Sequence, residues 1–128
     1  MIGAFAEHSS VFLRVVTILT LAFSIPISLA PLAWARAFRW TVDAQSDLAL
    51  YFGRCLGVLA LTLSGAAWYA AGHAGLQPFF FAIFISVAAL LAVVHVVGAV
   101  QKVQPWTENA EIPFWGGLAL LGLLFYPA

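Results

Sequence analysis

Four long apolar runs, separated by short polar breaks, divide the chain. A membrane-crossing helix needs about 20 largely apolar residues. That rule predicts spans over 11–34, 48–72, 79–100 and 108–126. The last apolar run, Ile112 to Tyr126, is short by itself, so its helix is expected to begin near Glu108 with Pro113 in the first turns. Glu108 and Glu111 then occupy a helix N-terminus, where the macrodipole favours negative charge. The polar breaks "ARAFRWTVDAQSD", "AGHAGLQP" and "QKVQPWTENAE" are too short to hold a soluble catalytic domain. The predicted architecture is a single all-α domain, a four-helix transmembrane bundle with both termini on the outer side.

A cleaved leader is the alternative for the first run, since "AWA" at Ala33 to Ala35 resembles a processing site. Glu7 stands where a leader carries basic residues, and the apolar run is longer than a leader's. A span is therefore the working assignment.

Helical phase separates two kinds of face. In the second span Gly53, Gly57, Ala60 and Ser64 share a narrow arc that begins as Gly-x-x-x-Gly. Small residues let helix backbones approach closely, which matters in lipid because packing supplies much of the attraction there. This face is expected to hold a helix, either within the chain or across a seam with a homo-oligomer or partner subunit. In the first span Arg14, Thr17, Thr20, Ser24 and Ser28 fall in an arc of roughly 120°. Two readings fit that stripe. Its hydroxyls can satisfy carbonyls freed by Pro26 and Pro31, or they can line a groove for a lipid or quinone headgroup opening near Arg14.

Composition decides the environment. The chain is 64% hydrophobic and 8% charged, with mean hydropathy +1.04, whereas soluble domains carry roughly 25% charged residues. It reads as an integral membrane protein, with the lipid bilayer as its first partner. Five Lys and Arg balance five Asp and Glu, so no basic patch exists for nucleic acid. Arg36, Arg39, Arg54 and Lys102 fall with the first and third loops and only Arg14 with the termini. By the positive-inside rule those loops face the cytoplasm. Aromatics gather near the span ends, including Trp34, Trp40, Trp68, Trp106 and Trp115, as expected of an interfacial belt.

Candidate chemistry is sparse. A charge within a span is a functional hypothesis by default, with a partner to be named. Arg54 lies shortly inside the second span and His95 shortly before the end of the third, with Glu111 and Trp115 at the same depth in the fourth. These four are expected to meet in one layer at the cytoplasmic face. Arg54 would pair with Glu111, or else with Glu108 or Asp47. The layer could be a structural clamp. It could instead bind a quinone, sterol or phospholipid headgroup through Arg54, with His95 exchanging a proton and Trp115 stacking.

No catalytic residue stands out. Cys55, the single cysteine, excludes an internal disulfide. The spacing of His, Asp and Glu predicts no metal set, and no two histidines share a depth for haem. No cofactor is expected beyond a quinone or lipid.

The order of features resembles the DoxX-like group of small four-span bacterial membrane proteins. The residues that carry this are "YFGRCLGVLALTLSG" opening the second span, "HVVGAVQK" closing the third and "ENAEIPFW" entering the fourth. A looser similarity, in the Arg and Gly after the first loop and the late His of the third span, is to the four-span scaffold family of ergosterol synthesis. The resemblance implies a bacterial inner-membrane bundle with an accessory role and supplies no catalytic residue. The expected function is a non-enzymatic accessory or scaffold subunit with a membrane-protein partner or a second copy. The alternative is a quinone- or lipid-binding component of a redox system.

Overall fold

A computed structural model describes residues 1–43 and 46–127, so 44 and 45 of the first loop lie outside the described residues. Among the described residues there are five α-helices: α1 (Ser9–Leu29), α2 (Pro31–Ala37), α3 (Asp47–Ala71), α4 (Gln77–Gln101) and α5 (Glu111–Leu124). Short 3-10 turns precede three of them, at Ala6–His8, Ala74–Leu76 and Trp106–Ala110. No strand is present among the described residues. Three helical segments, Ala6–Leu29, Asp47–Ala71 and Ala74–Gln101, are long and apolar enough to cross a bilayer. At 14 residues, α5 is about 21 Å long, short of a hydrocarbon core of about 30 Å.

Two boundaries differ from the expected ones, and proline explains both. The first run does not continue as one helix to Trp34. Ala30, at φ −141° and ψ 61°, leaves helical geometry, because the ring of Pro31 crowds the residue before it out of the α region. Pro31 then opens α2 as its first residue, where its missing N–H is harmless. The last α-helix starts at Glu111 rather than near Glu108, which sits in the preceding 3-10 turn. A start at Glu108 would place Pro113 in the second turn, where an N–H is needed. Starting at Glu111 places it among the N–H groups that have no helical partner anyway.

The helices pair as α1 with α3 and α4 with α5. The Gly-x-x-x-Gly face of α3 lies against the end of α1 and the start of α2. A Cβ on Gly57 would run into the Ser28 backbone nitrogen, and one on Gly53 into the Pro31 ring. The hydroxyl stripe of α1 faces the same helix. Thr17 donates to the Leu13 carbonyl at 2.8 Å, Thr20 to the Thr17 carbonyl at 3.0 Å, and Ser28 to the Ser24 carbonyl at 2.7 Å. Thr20 also meets the Ser64 hydroxyl at 2.8 Å, joining α1 to α3. Ser24 Oγ is buried without a hydrogen-bond partner. Arg14, at the stripe's outer end, is exposed and stands 5.6 Å over the Trp68 ring. The open groove beside it, about 470 Å³, is walled mainly by Ile18, Leu21, Leu61 and Trp68, with Thr17 and Ser64 at its edge. Its lining suits acyl chains better than a headgroup.

The pairs join through a phenylalanine cluster at one end. Phe81 is fully buried there, Phe12 stacks on it at 5.6 Å, and Phe84 and Phe125 close on Phe12 at 5.7 and 4.8 Å. The chain termini occupy that end together, since Gly3 and Phe5 donate backbone N–H to Leu123 and Leu124 at 2.9 Å. The first and third loops lie at the opposite end.

The seam generates a paired test. Gly57→Leu should lower stability in detergent by about 1–3 kcal/mol, because the obstacle is backbone and cannot swing away. Gly65→Ala, with nothing within 4 Å of the added carbon, should hold or raise it by up to about 1 kcal/mol. Thermal unfolding followed by circular dichroism would read both, and equal melting temperatures for Gly57→Leu and the native chain would refute this packing.

Candidate functional site

Helix ends and helical spacing build the site at the loop end of the bundle. His95 projects from the last two turns of α4, and its Nδ1 lies 2.7 Å from the Leu91 carbonyl one turn earlier. A carbonyl only accepts, so Nδ1 carries the hydrogen and Nε2 is turned to the far side of the ring. Two carboxylates meet Nε2 there. Glu111 Oε2 lies at 3.2 Å and Glu108 Oε2 at 3.4 Å. Glu108 and Glu111 are three positions apart, across the 3-10 turn and the first residue of α5, which puts both acids on one face.

An indole group donates to each carboxylate, to the oxygen facing His95 in Glu111 and to the far oxygen in Glu108. Trp115, one turn into α5, donates Nε1–H to Glu111 Oε2 at 2.7 Å. Trp40, in the first loop, donates to Glu108 Oε1 at 2.9 Å. Further contacts tie the two loops together. Thr107 donates to the Phe38 carbonyl, and the Arg39 guanidinium lies 5.7 Å from the Trp106 ring centre. Gln104 donates to the His95 carbonyl at 3.1 Å and to Asn109 Oδ1 at 2.9 Å, fixing the turn between α4 and α5. The layer is partly enclosed: the His95 and Glu108 side chains are 13% and 11% exposed, and that of Glu111 28%.

Of the four residues expected here, the structure brings together His95, Glu111 and Trp115 and leaves Arg54 out. Arg54 is exposed on α3 and has no ion-pair partner among the described residues, so the expected Arg54 to Glu111 pair is corrected to a His95 to Glu111 contact. Helical phase contributes: Gly53 and Gly57 turn toward α1 and α2, and Arg54, one step or about 100° from that seam, ends exposed. Asp47, the third choice of partner, is also exposed.

Spacing along the chain predicts no metal-ligand set, yet the fold gathers three groups of ligand type. His95, Glu108 and Glu111 offer one ligand-type atom each within 4.8 Å of one another. Local spacing hid this set because His95 and Glu108 are thirteen positions apart and only the α4–α5 turn closes them. Trp40 was read as belt, and no local sequence signal marks it as a partner of Glu108.

Replacing the indole of Trp40 tests the clamp. Trp40→Phe keeps an aromatic ring but strips Glu108 Oε1 of its donor, and should cost about 1–3 kcal/mol. Chemical unfolding in mixed micelles measures it, and a free energy within error of the native chain would mean that this hydrogen bond does not hold the loops.

No family model, curated protein or solved structure matches this chain.

Proposed function

We propose that this chain is a non-enzymatic accessory or scaffold subunit of a membrane complex. In this reading it is a four-span, DoxX-like protein of a bacterial cytoplasmic membrane with both termini outside. The fourth crossing is supported by length: the five-residue turn before α5 adds about 10 Å to the helix, bringing it near the hydrocarbon thickness. Orientation is supported by Arg36, Arg39, Arg54 and Lys102, which share the end away from the termini.

Arg54 is the observation that carries the reading. It stands seven residues into α3, about 10 Å from the helix start, on a face that also exposes Tyr51 and Val58. Its counterpart Arg14 has the Trp68 ring, whereas Arg54 has no anion among the described residues. A guanidinium at that depth either snorkels to the interface or meets an anion from outside the chain. A carboxylate on a neighbouring membrane helix supplies one, and α3 is the least enclosed of the three long helices, with 11% of its apolar window buried.

One feature favours lipid binding as a second reading. At the loop end an open groove of about 400 Å³ is lined by Arg39, Trp40, Thr41, Lys102 and Gln104. Two cations beside an indole suit an anionic headgroup.

A single purification separates the readings. Gentle extraction from the native membrane, followed by protein and lipid analysis, should show a stoichiometric membrane-protein partner that Arg54→Ala reduces at least fivefold without changing bound lipid. Loss of anionic phospholipid from an Arg39→Ala, Lys102→Ala double variant would favour the second reading. Full retention of the partner by Arg54→Ala would overturn the first.

A further inference from the structure

The geometry points to a divalent transition-metal site made by His95, Glu108 and Glu111, of the kind that takes Zn²⁺ or Mn²⁺. It is independent of Arg54 and of the accessory role.

The first ground is hydrogen bookkeeping. Nδ1 of His95 gives its hydrogen to the Leu91 carbonyl. In the neutral ring Nε2 is then a bare lone pair, facing two carboxylate oxygens at 3.2 and 3.4 Å. Three lone-pair atoms with no hydrogen between them repel. Protonating the ring answers this only in part. Neither Nε2 contact has hydrogen-bond geometry, so a hydrogen on Nε2 is not aimed squarely at either oxygen. One imidazolium against two carboxylates also leaves a net negative charge in a partly enclosed layer, with no Lys or Arg paired to it among the described residues. A divalent cation at the centre satisfies all three lone pairs and brings the sum to zero.

The second ground is distance. Ligands bound at about 2.0–2.1 Å in a tetrahedron stand about 3.3–3.4 Å apart. The two Nε2 to oxygen separations fall on or beside that edge length, and all three atoms lie within 4.8 Å of one another.

The third ground is the surrounding shell, supplied by residues other than the three ligands. A metal-bound histidine gives its other N–H to a carbonyl or carboxylate, and bound carboxylates accept hydrogen bonds in turn. Leu91, Trp40 and Trp115 supply these contacts. Glu108 itself is 9% exposed as a residue, and its Oε2 has no hydrogen donor other than that ring. One nitrogen and two oxygen ligands select borderline to hard first-row ions, and three protein ligands leave a fourth position for water or a substrate oxygen.

The test uses the full chain in detergent, purified through a tag without histidine and stripped with chelator. Dialysis against Zn²⁺ or Mn²⁺, with metal counted by mass spectrometry, should give one equivalent per chain and a higher melting temperature. His95→Gln and Glu108→Gln should each weaken binding at least a hundredfold. Trp115→Phe, which removes a supporting donor, should weaken it about 10- to 100-fold. His8→Gln, at the opposite end beside Glu7, should leave it unchanged. Should the ligand variants fail to fold, Co²⁺ on the native chain decides, since tetrahedral coordination gives intense visible bands and hydrated Co²⁺ does not. Less than a tenth of an equivalent bound, binding that survives His95→Gln, or only the hydrated Co²⁺ spectrum would overturn the site.

Discussion

The stacking of Phe12 on Phe81, with Phe84 and Phe125 closed around it, joins the two helix pairs, and the rest of the structure depends on that joint. In lipid the surroundings are as apolar as the side chains, so association rests on close packing and on the few hydrogen bonds that cross between helices. Aromatic rings supply large rigid contact there with little rotamer freedom to lose. The most buried of them lie at one end, where Phe81 and Leu13 are fully buried, while Phe23 on Phe114 at 6.1 Å adds a looser contact between the pairs toward the other. The N-terminal segment reinforces that end through backbone bonds to Leu123 and Leu124. Everything at the opposite end is positioned at a distance, by helices whose separation has been set near the termini.

That opposite end is held by a different force. Between the pairs it uses hydrogen bonds, Trp40 to Glu108 and Thr107 to the Phe38 carbonyl, with Arg39 beside Trp106. Such bonds are directional, and in low dielectric each is costly to leave unmade. The dry end therefore sets which helices meet, and the polar end sets how the loops sit on them. The α1–α3 seam belongs to neither end, because Gly57 against Ser28 brings backbone onto backbone while the α1 hydroxyls bond mostly within their own helix. That internal bonding is why a stripe of serines and threonines lies in a packed interface without needing a ligand.

Much of this was legible in the sequence, and the failures have physical causes. The helices over 47–71 and 77–101 follow the hydropathy pattern closely, because bilayer thickness leaves little choice of length. The end of α1 was missed because hydropathy does not register that Pro31 excludes helix geometry at Ala30. Depth counting correctly placed His95, Glu111 and Trp115 at one level. It could not place Arg54, since depth is a coordinate along a helix and contact also needs the angle around it. That angle depends on which side of α3 the second pair occupies, a property of the bundle rather than of any local stretch. Glu108 was half legible, through its three-residue spacing to Glu111. Trp40 was not, because its partner lies across two loops.

The two unbalanced features of the loop end, an exposed arginine and a partly enclosed pair of acids, invite being read as a broken salt bridge. Their surroundings argue otherwise. Both carboxylates already accept from indole donors and face His95, so a guanidinium reaching them would have to displace the histidine. Arg54 meanwhile projects from a helix whose seam with α1 and α2 is closed by Gly53 and Gly57, so rotation toward the acids would open that seam. The opposite charges are held apart by packing that neither can relax. An anion for the one would sit at the outer face of the bundle and a cation for the other within it, so no single ligand serves both.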